Sequence, residues 1–442
     1  MLIQASVSFL YWLINIFYVL ILLILISEVT VVAFWYSLSP NTKLKRGLLQ
    51  RYLRCIPATS VHDNVERLEL KRQLPRCSFI VVAYLPNEQN IILDTLKYIL
   101  TTVERPKSGL EVILAYNTPI QLPVEDDLQH LAALYPELRL LPVKTSRSKA
   151  ENLNAAIPLV TGEITCILDA DHRPANDCLS RAWYWLDSDR YDVVQGRNVI
   201  RNYNCNPLTK IISVEFECLF CVSHLALSVL VDTAIFGGTN GYWRTSVLQH
   251  LQFRPNMLTE DIDITVRALL RGYRIVNDPT IIATELAPVD IQSLWFQRKR
   301  WAQGWLEVLL KYQWSFFRSD KLNVWQKLYW TKLLLGSVIF HVVGLPIFLI
   351  TFSQVFSNMS FSSLAHAHVW ITPALLLLIE LYQTLVARKA KNPVIRLSFI
   401  NLALYCLAVP LYCLFKNFTV IAAIYDHLLG KTEWIVTRRE PN

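Results

Sequence analysis

Apolar residues change rhythm twice along this chain. From Val7 to Trp35 almost every residue is apolar, and Glu28 is the only charge. A helix needs about 20 such residues to cross a bilayer, so residues 1–40 are expected to form a transmembrane anchor. A secretory signal peptide would have a shorter apolar region with basic residues before it. Here the basic cluster (Lys43, Lys45, Arg46, Arg51, Arg54) comes after it. The positive-inside rule then places this basic juxtamembrane linker, residues 41–74, in the cytoplasm and the N-terminus outside.

Residues 75–290 read differently. Short apolar runs at Ser78–Ala83, Leu110–Ala115, Arg139–Val143, Ile164–Leu168 and Asp192–Gln195 alternate with helix-period segments such as Gln89–Val103. Such runs are the pattern of parallel strands buried on both faces. Strands alternating with helices predict a doubly wound α/β domain, with ligands gathered at the carboxyl ends of the strands. Residues 291–327 predict interfacial helices. Apolar stretches at 328–352, 367–387 and 397–425 predict C-terminal membrane helices over 328–425, followed by a tail, 426–442. Arg388, Lys389, Lys391 and Arg396 mark a cytoplasmic loop, whereas 353–368 carries no charge and belongs outside. Pro410 and Lys416 interrupt the last stretch, which leaves either one crossing or a broken, re-entrant segment.

Composition sharpens this picture. The chain of 442 residues is 53% hydrophobic, above the roughly 45–50% of soluble proteins. Its formal charge of +8, in so apolar a chain, points to lipid headgroups and a diphosphate; no basic tail or nucleic-acid signature is present. Of nine cysteines only Cys218 and Cys221 form a CxxC. Zinc would want a second pair, so buried thiols in a reducing compartment are expected.

Four segments carry candidate chemistry. In Cys166-Ile-Leu-Asp-Ala-Asp171, an apolar strand ends in carboxylates at i and i+2, which share a side. Two hard oxygen ligands suit Mg²⁺ or Mn²⁺ bridging to a diphosphate; solvated carboxylates at a strand end are the plain alternative. In Leu258-Thr-Glu-Asp-Ile-Asp263, Thr259 stands where a helix cap would, with acids in the first turn. Simple capping or a general base at a helix start both fit. Gln297-Arg-Lys-Arg-Trp301, continuing to Trp305, reads either as an interfacial helix or as Arg300 on a phosphate and Trp301 stacked on a sugar. Trp305, one turn further on, is expected at the membrane boundary. Phe236-Gly-Gly-Thr-Asn-Gly-Tyr-Trp-Arg244 allows close backbone approach to a ligand, or a tight turn.

Together with Ala83-Tyr-Leu-Pro-Asn-Glu88, Lys149-Ala-Glu-Asn-Leu-Asn154 and Val194-Gln-Gly-Arg197, this ordered set resembles the family-two glycosyltransferases, in the branch of cellulose, chitin and hyaluronan synthases. The resemblance runs from about Cys77 to Trp305. It implies an α/β GT-A-type nucleotide-sugar-binding domain inserted between transmembrane helices, and inversion at the anomeric carbon. It implies Asp169 and Asp171 as metal ligands, with Mg²⁺ or Mn²⁺ as cofactor, and Asp261 as catalytic base with Arg300 at the leaving group. It places Tyr84, Glu88, Lys149, Asp169 and Gln297 on the donor, and Trp301, Glu260 and Asn240 on the acceptor. One departure stands out. The family usually has Asp-Asp-Gly-Ser after the second strand, whereas here Val112–Leu114 runs into Ala115-Tyr-Asn-Thr-Pro119. Tyr116 or Asn117 would substitute in donor binding, and a UDP-sugar is the inherited expectation.

The expected function is transfer of a sugar from a nucleotide-sugar to a growing polysaccharide at the cytoplasmic face of the plasma (inner) membrane. A lipid acceptor is the alternative within enzymes, and a transporter the alternative outside them. The expected partners are the donor, the acceptor and the bilayer, with no nucleic acid.

Overall fold

A computed structural model describes residues 2–37, 73–187, 189–356, 364–390, 392, 394–395 and 398–431. The basic cluster at 43–54, residues 357–363 of the expected external loop, Lys391, Arg396 and the tail beyond 431 lie outside the described residues.

The apolar runs are strands: β1 (Cys77–Tyr84), β2 (Leu110–Asn117), β3 (Leu138–Pro142), β4 (Ile164–Asp169) and β6 (Val193–Ile200). β5 (Arg173–Pro174), β7 (Gly241–Arg244) and β8 (Ile275–Glu285) complete a sheet of eight strands in the order β3-β2-β1-β4-β7-β6-β8-β5. The five runs expected as parallel strands all run the same way, and the sheet is mixed only through strands the sequence did not show. β7 is antiparallel to both β4 and β6, and β5 to β8. β7 is only four residues long, and β8 carries Asn277-Asp-Pro279 in its middle, so neither shows a strand rhythm.

Successive residues of β1 point to opposite faces, as the pleat requires. Phe79 and Val81 join one core with Leu96 of α2 (Ile92–Thr102), Leu128 of α3 (Val124–Leu134) and Trp183 of α5 (Cys178–Leu186). Ile80 and Val82 join the other, with Leu153 of α4 (Lys149–Ala156), Leu248 of α8 (Thr245–Leu251) and Ile264 of α9 (Glu260–Leu270). Burying each such side chain stabilises by about 1.5–3 kcal/mol. The second core continues into Leu309 and Phe316 of α10 (Ile291–Arg318) and Trp330 of α11 (Val324–Phe356). The α/β domain and the first C-terminal apolar helix therefore share one core.

Among the described residues, four helices are long and apolar enough to cross a membrane: Tyr18–Ser37, Pro207–Val231, Val324–Leu349 and Phe399–Leu428. Tyr18–Ser37 belongs to α1 (Leu2–Ser37). The second was not foreseen as a span. It consists of α6 (Pro207–Cys218), a π-helical turn (Leu219–Ser223) and α7 (His224–Val231), and 72% of its apolar window is buried inside the protein. α12 (Leu364–Ala387) contains the shorter apolar stretch Pro373–Ala387. α13 (Phe399–Leu428) runs unbroken through Pro410, so the last stretch is one helix. Lys416 within it is matched by Glu215 of α6, Nζ to Oε1 3.6 Å, and Glu28 of α1 pairs with Lys332 of α11.

Candidate active site

A cavity of about 410 Å³ follows the carboxyl edge of the sheet, from the ends of β2 and β1 past β4 to the ends of β6 and β8. Its centre is the end of β4. Asp169 is the last strand residue and half-buried, and Asp171 follows at 1% exposure. Asp171 is clamped. Its Oδ1 lies 3.0 Å from His172 Nδ1, and its Oδ2 accepts from the Leu286 amide at 3.0 Å. His172 Nε2 lies 3.1 Å from Glu285 Oε2. Burial opposes the imidazolium, but Asp171 and Glu285 outweigh it and push His172 up to about 9, so the ring is protonated at neutral pH.

Ligand atoms of Asp169, Asp171 and His172 lie within 4.8 Å of one another. Both ring nitrogens of His172 already face carboxylates, Nδ1 on Asp171 and Nε2 on Glu285, which leaves the two aspartates as the ligands, each oxygen with more than one lone pair to offer. The spot already draws a cation. Lys149, placed at the start of α4 by its cap Ser148, brings Nζ to 2.5 Å from Asp169 Oδ1 and donates to the Gly238 carbonyl at 2.8 Å. Burial works against that ammonium, and Asp169 and Glu260 more than offset it, so its pKa is raised. The residues present thus fit a divalent cation.

The glycine loop forms the next wall. Gln195 of β6 accepts from the Gly237 amide at 2.9 Å and donates to the Thr239 carbonyl at 3.1 Å. Thr239 Oγ1 accepts from the Asp169 amide at 3.2 Å. Gly238 has φ +83°, and a Cβ there would sit 3.0 Å from Asp261 Oδ2, so both backbone and space demand glycine.

Asp261 lies in the first turn of α9. Thr259 occupies the cap position without capping: its side chain makes no cap bond, and its Oγ1 is buried without a hydrogen-bond partner among the described residues. The third acid, Asp263, is structural, bonded to Arg267 at 2.6 Å and to the Tyr312 hydroxyl at 2.5 Å. Burial and then the Glu260 charge raise the Asp261 carboxyl to about 7, against the pull of Lys149 and Arg300. A carboxyl in that range can take a proton at neutral pH and hold it.

α10 closes the cavity. Asp290 caps it, accepting from the Ser293 amide at 2.7 Å. Gln297, Arg300, Trp301 and Trp305 of this helix all line the cavity. Arg300 donates to the Leu258 carbonyl at 3.4 Å, beside the acidic turn. Trp305 was expected at the membrane boundary, but one turn from Trp301 it shares the cavity face and packs on the core. Gly304 lets α10 touch the Thr259 turn, since a Cβ would lie 2.3 to 2.7 Å from three side-chain atoms of Thr259. Gly304→Ala is therefore expected to cost about 1–3 kcal/mol by overpacking and to lower activity by displacing the acidic turn. Thermal unfolding and turnover in detergent check this, and wild-type values in both would show that the contact does not matter.

Of the residues read from sequence, Tyr84, Glu88, Asn117, Lys149, Asp169, Asp171, Glu260, Asp261, Gln297, Arg300 and Trp301 all line this one cavity. Two do not. Tyr116 precedes Asn117 in β2, so it faces away, 5% exposed, with its hydroxyl donating to Glu125 at 3.2 Å. Asn240 turns inward at φ +52°, fully buried, donating to the Arg197 carbonyl at 3.1 Å and accepting from the Tyr242 hydroxyl at 3.1 Å. Sequence reasoning missed Asn152, Asn198, His224, Glu285 and Arg298 in the lining. Asn152 was within reach, one helical turn from Lys149. So was Arg298, inside the Gln297–Trp301 segment, and Asn198 adjoins Val194-Gln-Gly-Arg197; His224 and Glu285 arrive from distant segments without a local signal.

The sequence profile of glycosyl transferase family group 2 matches residues 164–386. The chain belongs to this family. It is 25% identical to "Probable glycosyltransferase YdaM" of Bacillus subtilis (strain 168), over 66% of this chain and 68% of that one. It is 27% identical to the "Poly-beta-1,6-N-acetyl-D-glucosamine synthase" of Staphylococcus epidermidis, over 58% of this chain and 60% of that one. Among solved structures, "Mannosyltransferase PcManGT from Pyrobaculum calidifontis in complex with GDP-Man and Mn2+" superposes with a TM-score of 0.54 at 21% identity, over 93% of this chain and 99% of that one. That likeness is one of fold. The family and the mixed sheet together make the domain GT-A-like, with apolar helices on both sides of it.

Proposed function

We propose that this family-two glycosyltransferase is inverting and metal-dependent, and extends a polysaccharide from a nucleotide-sugar at the cytoplasmic membrane face. The observation that carries the reading is the meeting of Asp261, raised to about 7, with Asp169, Asp171 and Arg300 along one cavity. Tyr84, Glu88 and Asn117, at the β1–β2 end, receive the nucleotide. There an amide pair stands where the family's acid would be: Asn152 donates to Asn117 Oδ1 at 2.8 Å, and Asn117 donates to the Ser146 carbonyl at 3.2 Å. Uridine is the expected base, and the mannosyltransferase of similar fold was solved with GDP-Man, so both belong in the test.

Asp169 and Asp171 would hold a divalent cation, which neutralises charge on the donor diphosphate. Lys149 and Arg300 add positive charge there. Asp261 takes the proton of the acceptor hydroxyl as that oxygen bonds to the anomeric carbon. The bond from that carbon to the diphosphate oxygen breaks, and the nucleoside diphosphate leaves with the electron pair. The charge on the ring carbon at that moment is oxocarbenium-like. One displacement inverts the centre. The relative named as a polysaccharide synthase supports a polymer product, and the loop charges of Arg388 and Lys389 support the cytoplasmic face.

Product analysis with purified membranes and a panel of UDP- and GDP-sugars tests the reading. Many sugars per acceptor are expected; one or two sugars on a lipid would replace the polymer reading. Trp301 tests the acceptor side. Its ring lies 4.3 Å from the Arg298 guanidinium, which ties it to the cavity wall. Trp301→Ala is expected to weaken acceptor use about ten- to hundredfold, by analogy with lost base stacking, and Trp301→Phe less, with nucleotide affinity nearly intact. Acceptor and donor kinetics in matched membranes measure this, and equal losses on both sides would return Trp301 to an anchoring role.

A further inference from the structure

The β6–β8 end of the cavity carries polar groups that no motif accounts for. Asn198, near the end of β6, is 3% exposed; Glu285, the last residue of β8, is 8% exposed; His224, the first of α7, is 7% exposed. All three line the cavity. Asn198 Oδ1, Glu285 Oε1 and His224 Nδ1 have no hydrogen-bond partner among the described residues. Proteins rarely leave buried polar atoms unmatched, and three on one cavity end mark a place shaped for a ligand. Amide and carboxylate oxygens only accept, so the ligand must bring O–H or N–H donors. Phe216 and Phe220 supply apolar surface beside them.

Local structure sets this arrangement. The π-helical turn Leu219–Ser223 widens the helix between α6 and α7, a device common at functional sites. It places the Phe220 ring edge-on to His224 at 4.9 Å.

Charge narrows the ligand further. Arg298 at this end is already bound to Glu215, Nη2 to Oε2 2.6 Å, and Lys416 lies 3.6 Å from the other oxygen of Glu215. With both cations paired to Glu215 and Glu285 nearby, a phosphate headgroup would meet carboxylates, whereas a neutral polyol would not. Arg298 Nε, buried without a hydrogen-bond partner among the described residues, offers one donor to a hydroxyl oxygen. Position also decides the side. The nucleotide belongs to the β1–β2 end and the diphosphate to β4, and in-line attack needs the acceptor on the far side of the anomeric carbon.

We propose that Asn198 and His224 are specificity-determining residues for the acceptor, selecting which hydroxyls of its terminal sugar, a neutral saccharide, fit at this end of the cavity. The proposal rests on the glycosyltransferase reading above.

The test is equilibrium binding to the full chain in nanodiscs. The probes are a β-1,6-linked N-acetylglucosamine trisaccharide, a β-1,4-linked glucose trisaccharide, a polyprenyl phosphate, UDP and GDP. Wild type should bind at least one trisaccharide. Asn198→Leu and His224→Phe should weaken it at least about tenfold, the loss of a hydrogen bond made in a buried site. His224→Gln should recover part of the loss, while the nucleotide dissociation constant stays within about twofold. In turnover, acceptor KM should rise more than kcat falls. Should His224→Phe fail to fold, Asn198→Leu and His224→Gln decide on the same scale. The inference is overturned by unchanged saccharide binding in the variants, by losses confined to nucleotide-sugars, or by polyprenyl phosphate being the only acceptor that binds. Wild type that binds nucleotide and no saccharide overturns it while leaving the glycosyltransferase reading standing. Wild type that binds no nucleotide strikes that reading itself.

Discussion

Asp261→Asn should lower turnover by about 10²–10⁴-fold, the usual worth of a positioned base, while nucleotide affinity changes little. The amide keeps the shape of the carboxylate and loses its basicity. The pH profile makes the test specific. Asp261 must be unprotonated to accept the acceptor's proton, and its carboxyl is raised to about 7. Turnover of the wild type should therefore climb as pH rises toward about 7 and level off above it. Asp261→Asn should remove that acid limb. Glu260→Gln should move the limb to lower pH, because the Glu260 charge is the second cause of the rise, after burial. The measurement is kcat/KM from pH 5 to 9 for the three proteins. Near-normal turnover in Asp261→Asn, with Glu260→Gln inactive, would mean that the other carboxylate of the turn is the base.

Chelation should have an effect of similar size. EDTA is expected to abolish transfer and Mg²⁺ or Mn²⁺ to restore it, because Asp169 and Asp171 converge at one spot while both ring nitrogens of His172 are turned to Asp171 and Glu285. Asp171→Asn should cost about a hundredfold or more in turnover, as does removing a group that stabilises transition-state charge. Asp171 is buried against His172 and the Leu286 amide, so loss of fold could imitate loss of metal. Asp169→Asn avoids that difficulty, since Asp169 is half-buried at the cavity wall. Titration of Mn²⁺ in the presence of nucleoside diphosphate, followed by calorimetry, should show weakened binding in both variants. Full activity in metal-free buffer with EDTA would remove the cation from the mechanism and leave Lys149 and Arg300 to neutralise the diphosphate.

The readings that held concern single segments. The run Ile164–Leu168 announced a buried strand, and two carboxylates at i and i+2 just after it made Asp169 and Asp171 legible as a pair at the strand's end. The acids after Thr259 announced a helix start, and α9 begins at Glu260. The unbroken apolar stretch before Trp35 announced a long helix, and α1 is one. In each case the cause is local, because pleat and helix period write their burial pattern into neighbouring residues.

What failed to show in sequence depends on residues far apart in the chain. Tyr116 and Asn117 were equal candidates until β2 paired with β1 and β3 and the pleat put them on opposite faces. Gly241–Arg244 became a strand because β4 and β6 leave a gap that it fills antiparallel. Lys416, a defect in an apolar stretch, became intelligible beside Glu215, and Glu215 beside Arg298. His224 carried no signal in its own apolar helix and acquired one by arriving with Asn198 and Glu285 at one cavity end. By itself the sequence determined the five parallel strands, the acidic pair at the end of β4, and the apolar helices at the two ends of the chain. Only tertiary structure decided which of the neighbouring side chains gather around that pair, because long-range strand pairing and helix packing choose the face each residue presents.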